Sequence, residues 1–186
     1  RDIFPTIENT QILEGGKKVK ITDITRQVAP PSVVLVLDSS GSMGKQMPAT
    51  IAAAKEFIKG LPDKTFIKVI DFDSDIKVLK GETKETVINS LSSVKALGST
   101  VLFDATLAGL ELLQGKTRPA LVVFADGADS SIDGQGQGSN STQEEVVEAI
   151  REAKIPVYTI GFGEKPDEKA LREFSQASGG EYYSAK

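Results

Sequence analysis

Val33-Val34-Leu35-Val36-Leu37-Asp38-Ser39-Ser40-Gly41-Ser42 changes character abruptly at its middle. The first half is β-branched and leucine residues with no polar alternation, which reads as a strand buried on both faces, the interior of a parallel sheet. An acid and hydroxyls follow at its carboxyl end. In open α/β sheets ligands bind outside the carboxyl ends of the strands, so a site is expected here. Oxygen donors without sulfur or imidazole suit a hard divalent cation.

Outward from this junction, apolar strands alternate with helical patterns. Strands are expected at 33–37, 66–72, 76–79, 120–124, 157–160 and 181–184. Helical spacing puts Ile51, Ala54, Ile58 and Leu61 on one face, Leu102, Thr106, Leu110 and Leu113 on another, and Val146, Ile150 and Ala153 on a third. A further helix carries Ala170, Leu171, Phe174 and Ala177 and ends at Gly179-Gly180. The alternation predicts an α/β fold, a three-layer α/β/α sandwich around a doubly wound, mostly parallel six-stranded sheet. Asp73-Ser74-Asp75 is too short for a parallel crossover, so 76–79 is expected to be an antiparallel edge strand. Residues 1–31 read as an N-terminal β extension with two short strands around Gly15-Gly16, closed by Pro30-Pro31, and 32–186 as the main domain. Asp133–Ser141, rich in glycine and polar residues, reads as a mobile surface loop.

A second buried strand ends in Phe124-Ala125-Asp126-Gly127, and Gly98-Ser99-Thr100 feeds the helix that starts near Leu102. Asp38, Ser40, Ser42, Thr100 and Asp126 would then converge on one edge. Taken alone, Asp38, Ser40 and Ser42 could be a capped turn into the helix from about Met47; Thr100 and Asp126 favour a site. Two adjacent carboxylates repel at neutral pH, and a divalent cation keeps both ionised. Two anionic and three neutral oxygens leave one position open, and a partner's Asp or Glu would supply the missing charge. Near-octahedral preference points to Mg²⁺, with Mn²⁺ and Ca²⁺ as alternatives. Asp71, Asp73 and Asp75 read as solvated turn residues, Asp104 as an acid complementing a helix dipole, and Asp129 and Asp133 as rim residues without a ligand role.

Composition narrows the chemistry. The chain has 186 residues, no cysteine and no histidine, which excludes thiolate chemistry, Ser-His-Asp catalysis and the usual zinc ligands. With 26 acidic against 22 basic residues and no long basic run, nucleic acid is not an expected partner. No stretch approaches the roughly 20 apolar residues of a membrane-spanning helix, so direct membrane insertion is not expected. The start Arg1-Asp2-Ile3-Phe4-Pro5 lacks an initiator methionine and suggests a piece of a longer chain.

The Asp38-x-Ser40-x-Ser42 motif after a buried strand, the Gly98-x-Thr100 loop and Asp126-Gly127 after a later strand together resemble the von Willebrand factor type A (vWA) domain. The resemblance covers about residues 32–184. It includes Asp71-Phe72-Asp73, where the family often has a Phe-Ser pair, and Thr159-Ile160-Gly161-Phe162-Gly163 on the fifth strand. It implies a Rossmann-like fold and a metal-ion-dependent adhesion site at the five positions. There Ser40, Ser42 and Thr100 would bind the metal directly, with Asp38 and Asp126 acting mainly through water. Residues 1–30 are similar to the segment that precedes the domain in many bacterial surface and secreted members. The family's C-terminal helix is not expected within this sequence, so a helix-shift switch does not carry over.

The expected function is a non-enzymatic, divalent-cation-dependent module that binds a protein ligand through an acidic side chain completing the metal shell. The alternatives are an assembly domain in which the metal only pins loops, and a metal-assisted hydrolase, which lacks an obvious general acid or base beyond Asp38 and Asp126. A secreted or cell-surface location fits the N-terminal segment, and a cytoplasmic one fits the lack of cysteine.

Overall fold

The computed structural model describes residues 5–24, 29–126, 129–163 and 168–185. Strands β1 (Ile12–Glu14) and β2 (Lys17–Val19) form an antiparallel hairpin of their own. Its turn places Gly15 at φ +55° and Gly16 at φ +81°, the positive values that a two-residue hairpin turn requires at both central positions. All six strand residues are exposed.

The main sheet is built from β3 (Ser32–Asp38), β4 (Phe66–Phe72), β5 (Ile76–Val78), β6 (Pro119–Ala125), β7 (Val157–Phe162) and β8 (Tyr182–Ala185). Its order is β5-β4-β3-β6-β7-β8, parallel throughout except for the antiparallel β4–β5 edge pair. The six strands expected from the sequence are all present, most of them one or two residues longer or shifted by one. Strand β3 is central and buried along its whole length, which explains why its apolar run has no polar alternation. Leu35 lies beside Val69 on one flank and Val122 on the other.

Alternate residues of β3 enter two separate cores. Val34 and Val36 pack on the side of α3 (Leu102–Leu113), α4 (Gln143–Ala153) and α5 (Glu168–Ser178). Val33, Leu35 and Leu37 pack on the side of α1 (Met47–Gly60) and α2 (Lys84–Ser90). Fully burying one such side chain is worth about 1.5–3 kcal/mol, so exposing this strand would forfeit about 10 kcal/mol, comparable to the whole stability of a domain.

In α1 the buried positions are Met47, Thr50, Ala54 and Ile58, with Ile51 and Leu61 only half-buried; the helix is turned slightly from the face the sequence suggested. Helix α2 was not expected. It starts at a capping box in which the Thr83 side chain accepts from the Thr86 N–H while Thr86 returns the bond. Helix α3 approaches the sheet closely through Gly109, where an added Cβ would lie 2.6 Å from Leu121 Cδ1 and 2.9 Å from Val36 Cγ2. That approach packs the body of α3 directly against β3 and β6. From β3 the chain goes first to β4 and β5 on one side, then returns to β6 on the other, so the order reverses between β3 and β6. Such a reversal leaves a crevice at the carboxyl ends of the two strands, where Asp38 and Asp126 stand.

Two further expectations need correction. Asp71 is not a solvated turn residue: it lies within β4, half-buried, and its Oδ1 is buried without a hydrogen-bond partner among the described residues. Burial, with Asp73 nearby, holds its carboxyl above the usual range despite a hydrogen bond with Ser39 and the charge of Lys77. Asp133–Ser141 is not a free loop, because its second half is tied to the end of α3 by the contacts described below.

Candidate functional site

The last residue of β3 is Asp38, fully buried at 0% exposure. Its Oδ1 accepts the Ser40 N–H at 2.8 Å, which folds the chain back at once and carries Ser40 beneath the sheet edge. Ser40 then starts a 3-10 turn over Gly41–Lys45, and its Oγ lies 3.0 Å from Ser42 Oγ. Ser40 is buried and Ser42 exposed, so the hydroxyls step from the interior toward solvent.

Thr100 reaches the same edge because its loop is stitched to three neighbours. The Leu97 N–H donates to the Ser39 carbonyl at 2.8 Å, and the Gly41 N–H donates to the Gly98 carbonyl at 3.2 Å. The Ser99 N–H donates to Ser74 Oγ at 3.0 Å, and the Val101 N–H to the Asp73 carbonyl at 3.1 Å. On the far side Thr100 and Ser130 exchange backbone hydrogen bonds, 2.9 Å from the Thr100 N–H and 3.1 Å from the Ser130 N–H. Gly98 holds φ +72° with Ser74 Oγ 2.5 Å from where a Cβ would stand, so this corner accepts glycine only.

Asp126 follows β6 directly and is half-buried. Leu37 pairs with Phe124 across β3 and β6, which brings Asp38 level with Ala125 and leaves Asp126 one residue beyond, so the two carboxylates become neighbours. Burial first, and then the Asp126 charge, push the Asp38 carboxyl up to about 7, against weaker opposing hydrogen bonds from Ser40 and the Asp126 backbone. Asp38 Oδ2 is buried with no hydrogen-bond partner among the described residues. A buried carboxylate oxygen left unpaired is costly, and the positive charge of a divalent cation held at this edge would offset that cost. Two carboxylates and three hydroxyls form a hard, all-oxygen donor set that fits Mg²⁺, Mn²⁺ or Ca²⁺. The five expected residues thus sit on three loops at one edge of the sheet, while Gly127 lies outside the described residues.

Asp129 and Asp104 have roles that the sequence did not reveal. Asp129 Oδ1 accepts the N–H groups of Gly138 at 2.8 Å and Ser139 at 2.9 Å, and its Oδ2 accepts the Phe103 N–H at 3.1 Å and the Ser139 hydroxyl. Asp104 accepts the N–H groups of Asn140 at 2.8 Å and Ser141 at 2.9 Å. Burial raises the Asp104 carboxyl, but these bonds outweigh it and hold it below the usual range. Together they clamp the 129–141 loop onto the first turn of α3, next to Thr100. The signal available beforehand was Asp104 in the first turn of a helix; its partners lie more than 30 residues away and left no local pattern.

A family model for the von Willebrand factor type A domain matches residues 32–186. The chain is 29% identical over 169 residues to bovine inter-alpha-trypsin inhibitor heavy chain H3, a match covering 83% of this chain but only 19% of that protein. Among solved structures it is similar to a von Willebrand factor type A protein from Catenulispora acidiphila, with a TM-score of 0.70 and 19% identity over 85% of this chain and 39% of that one. BatB from Bacteroides thetaiotaomicron superposes with a TM-score of 0.66 and 17% identity, covering 84% of this chain and 90% of that one. With the sheet order, the switch-point crevice and a family match across the whole main sheet in agreement, the chain belongs to the von Willebrand factor type A family.

Proposed function

We propose that the chain is a divalent-cation-dependent protein-binding module in which Asp38, Ser40, Ser42, Thr100 and Asp126 hold one ion, and an Asp or Glu of a partner completes its coordination. Members of this family commonly mediate protein interaction or adhesion. The observation that carries the reading is Asp38: a fully buried carboxylate with an unpartnered oxygen, facing a second carboxylate and stepped hydroxyls. Mg²⁺ is the favoured ion, because few protein oxygens and retained waters suit its octahedral habit.

The ion's charge would keep both acids ionised, and it would present an open position to solvent on the side of Ser42. Asp38 and the Ser40 N–H fix the inner ligand, Thr100 is held by Ser130, and the loops around them contribute the surrounding contacts. With both carboxylates committed to the ion, binding rather than turnover is the chemistry that remains. A place within a longer protein fits the 19% of the heavy chain that this domain spans.

Titration calorimetry on metal-stripped protein tests the reading. Binding of one Mg²⁺ or Mn²⁺ at millimolar levels or tighter, lost in Asp126→Ala, is expected; no heat with either ion in folded protein overturns it.

A further inference from the structure

Among the largest exposed apolar side chains of the described residues, two stand at the metal edge: Leu97, 62% exposed, and Ile132, 83% exposed. Single exposed apolar residues are common on protein surfaces, so their exposure alone says little. Their mounting says more. The Leu97 backbone is pinned to Ser39, between Asp38 and Ser40. Ile132 is two residues beyond Ser130, the backbone partner of Thr100, and so within about 7 Å of that pairing along the chain.

The loop carrying Ile132 is held rigidly around it. Ser131 and Gly136 exchange bonds, N–H to carbonyl at 2.8 Å and Gly136 N–H to Ser131 Oγ at 3.0 Å. Asp133 Oδ1 accepts the Ser131 hydroxyl at 2.6 Å and the Gln135 N–H at 3.1 Å. The root is clamped by Asp129 and Asp104 as described above. Gly138 packs so tightly that a Cβ would lie 2.3 Å from the Thr100 carbonyl oxygen. The two polar side chains that flank Ile132, Ser131 and Asp133, are used to fix the loop, while the isoleucine itself is left in solvent. A rigid, ready-made apolar contact binds without the ordering cost of a floppy one.

The charge around the edge selects further. The loops beside the site carry acids of their own: Asp73 and Asp75 flank Ser74, which accepts the Ser99 N–H, and Asp133 follows Ile132; Lys77 lies 3.7 Å from Asp73, while Asp75 and Asp133 are exposed, so a partner rich in acids would meet like charges there. Resting on the proposed cation site, we infer that the partner segment carries one carboxylate with a bulky aliphatic or aromatic residue beside it, the carboxylate reaching the ion and the apolar neighbour packing against Leu97 and Ile132. The two side chains are specificity-determining rather than metal-binding, and each is worth about tenfold in affinity when covered.

A displayed library of hexapeptides with one fixed central Asp and randomised flanks provides the test. It is selected on the 186-residue chain in millimolar Mg²⁺ and released with EDTA. Wild type is expected to enrich Leu, Ile, Met, Phe or Tyr next to the Asp. The Leu97→Ser, Ile132→Ser double variant, altered only at exposed positions, should still yield EDTA-released peptides but without that flank preference. Enrichment of polyacidic flanks, of no flank at all, or of the same apolar flank by the double variant overturns this inference and leaves the cation site standing. No EDTA-released enrichment by wild type that binds Mg²⁺ in calorimetry removes the acidic-ligand reading and this inference with it.

Discussion

Replacing Asp38 by Asn should stabilise the metal-free protein above neutral pH, although it removes a charge from the heart of the site. The folded protein holds this carboxyl at about 7 against an ordinary 3.8, through burial and then the Asp126 charge. The sign follows from proton uptake: between 3.8 and about 7 the folded state binds more protons than the unfolded one, so stability falls as pH rises through that window and stays low above it. At about 1.4 kcal/mol per pH unit, the gap amounts to about 4 kcal/mol at pH 8. Asparagine keeps the Oδ1 that accepts the Ser40 N–H and carries no charge to desolvate. Urea unfolding in EDTA at pH 4 and pH 8 measures the difference. The Asp38→Asn variant should be more stable than wild type at pH 8 by a few kcal/mol, with the advantage shrinking toward zero at pH 4. In saturating Mg²⁺ the order should reverse, since only wild type gains the binding energy of the ion. Equal stabilities at pH 8 in EDTA, or the same difference at both pH values, would refute the reasoning.

The same carboxyl makes metal binding pH-sensitive: protons compete for Asp38, so Mn²⁺ affinity measured by titration should fall as pH drops below about 7, approaching tenfold per pH unit. Gly138→Ala puts a Cβ 2.3 Å from the Thr100 carbonyl oxygen and 2.6 Å from that of Ser130; unfolding experiments should show a loss of about 1–3 kcal/mol, and calorimetry a weaker Mn²⁺ site because Thr100 is displaced. Phe174→Ala empties a fully buried position packed edge-on to Phe103 at 6.0 Å between ring centroids, and should cost about 3–5 kcal/mol in denaturant unfolding.

Legibility tracked the range of the interactions. The buried run 33–37 and the apolar strand 120–124 were readable because burial on both faces leaves a mark in consecutive residues. The edge hairpin at Asp73-Ser74-Asp75 was readable from linker length alone. Helix α2 went unseen because only Val87 in it is buried, too few for a periodicity; its Thr83–Thr86 box was the available sign. The five candidate oxygens were named from motifs after β3 and β6 and from the loop before α3, and the switch point between β3 and β6 accounts for the nearness of Asp38 and Asp126. The clamp by Asp129 and Asp104 was not legible: a glycine-rich composition reads as mobility, whereas here the missing side chains at Gly138 allow a close backbone approach. Asp71 misled in the opposite way, since an acid in a run of acids reads as solvated while its place in β4 half-buries it.

Whether oxygens at the carboxyl ends of β3 and β6 and in the loop before α3 grip one ion is answered by anomalous diffraction from crystals soaked in Mn²⁺. A single peak within bonding distance of the Ser40, Ser42 and Thr100 hydroxyls, with Asp38 and Asp126 around it, is expected. A peak at the Asp71–Asp75 acids instead, or none at the β3–β6 crevice of a well-ordered crystal, would contradict it.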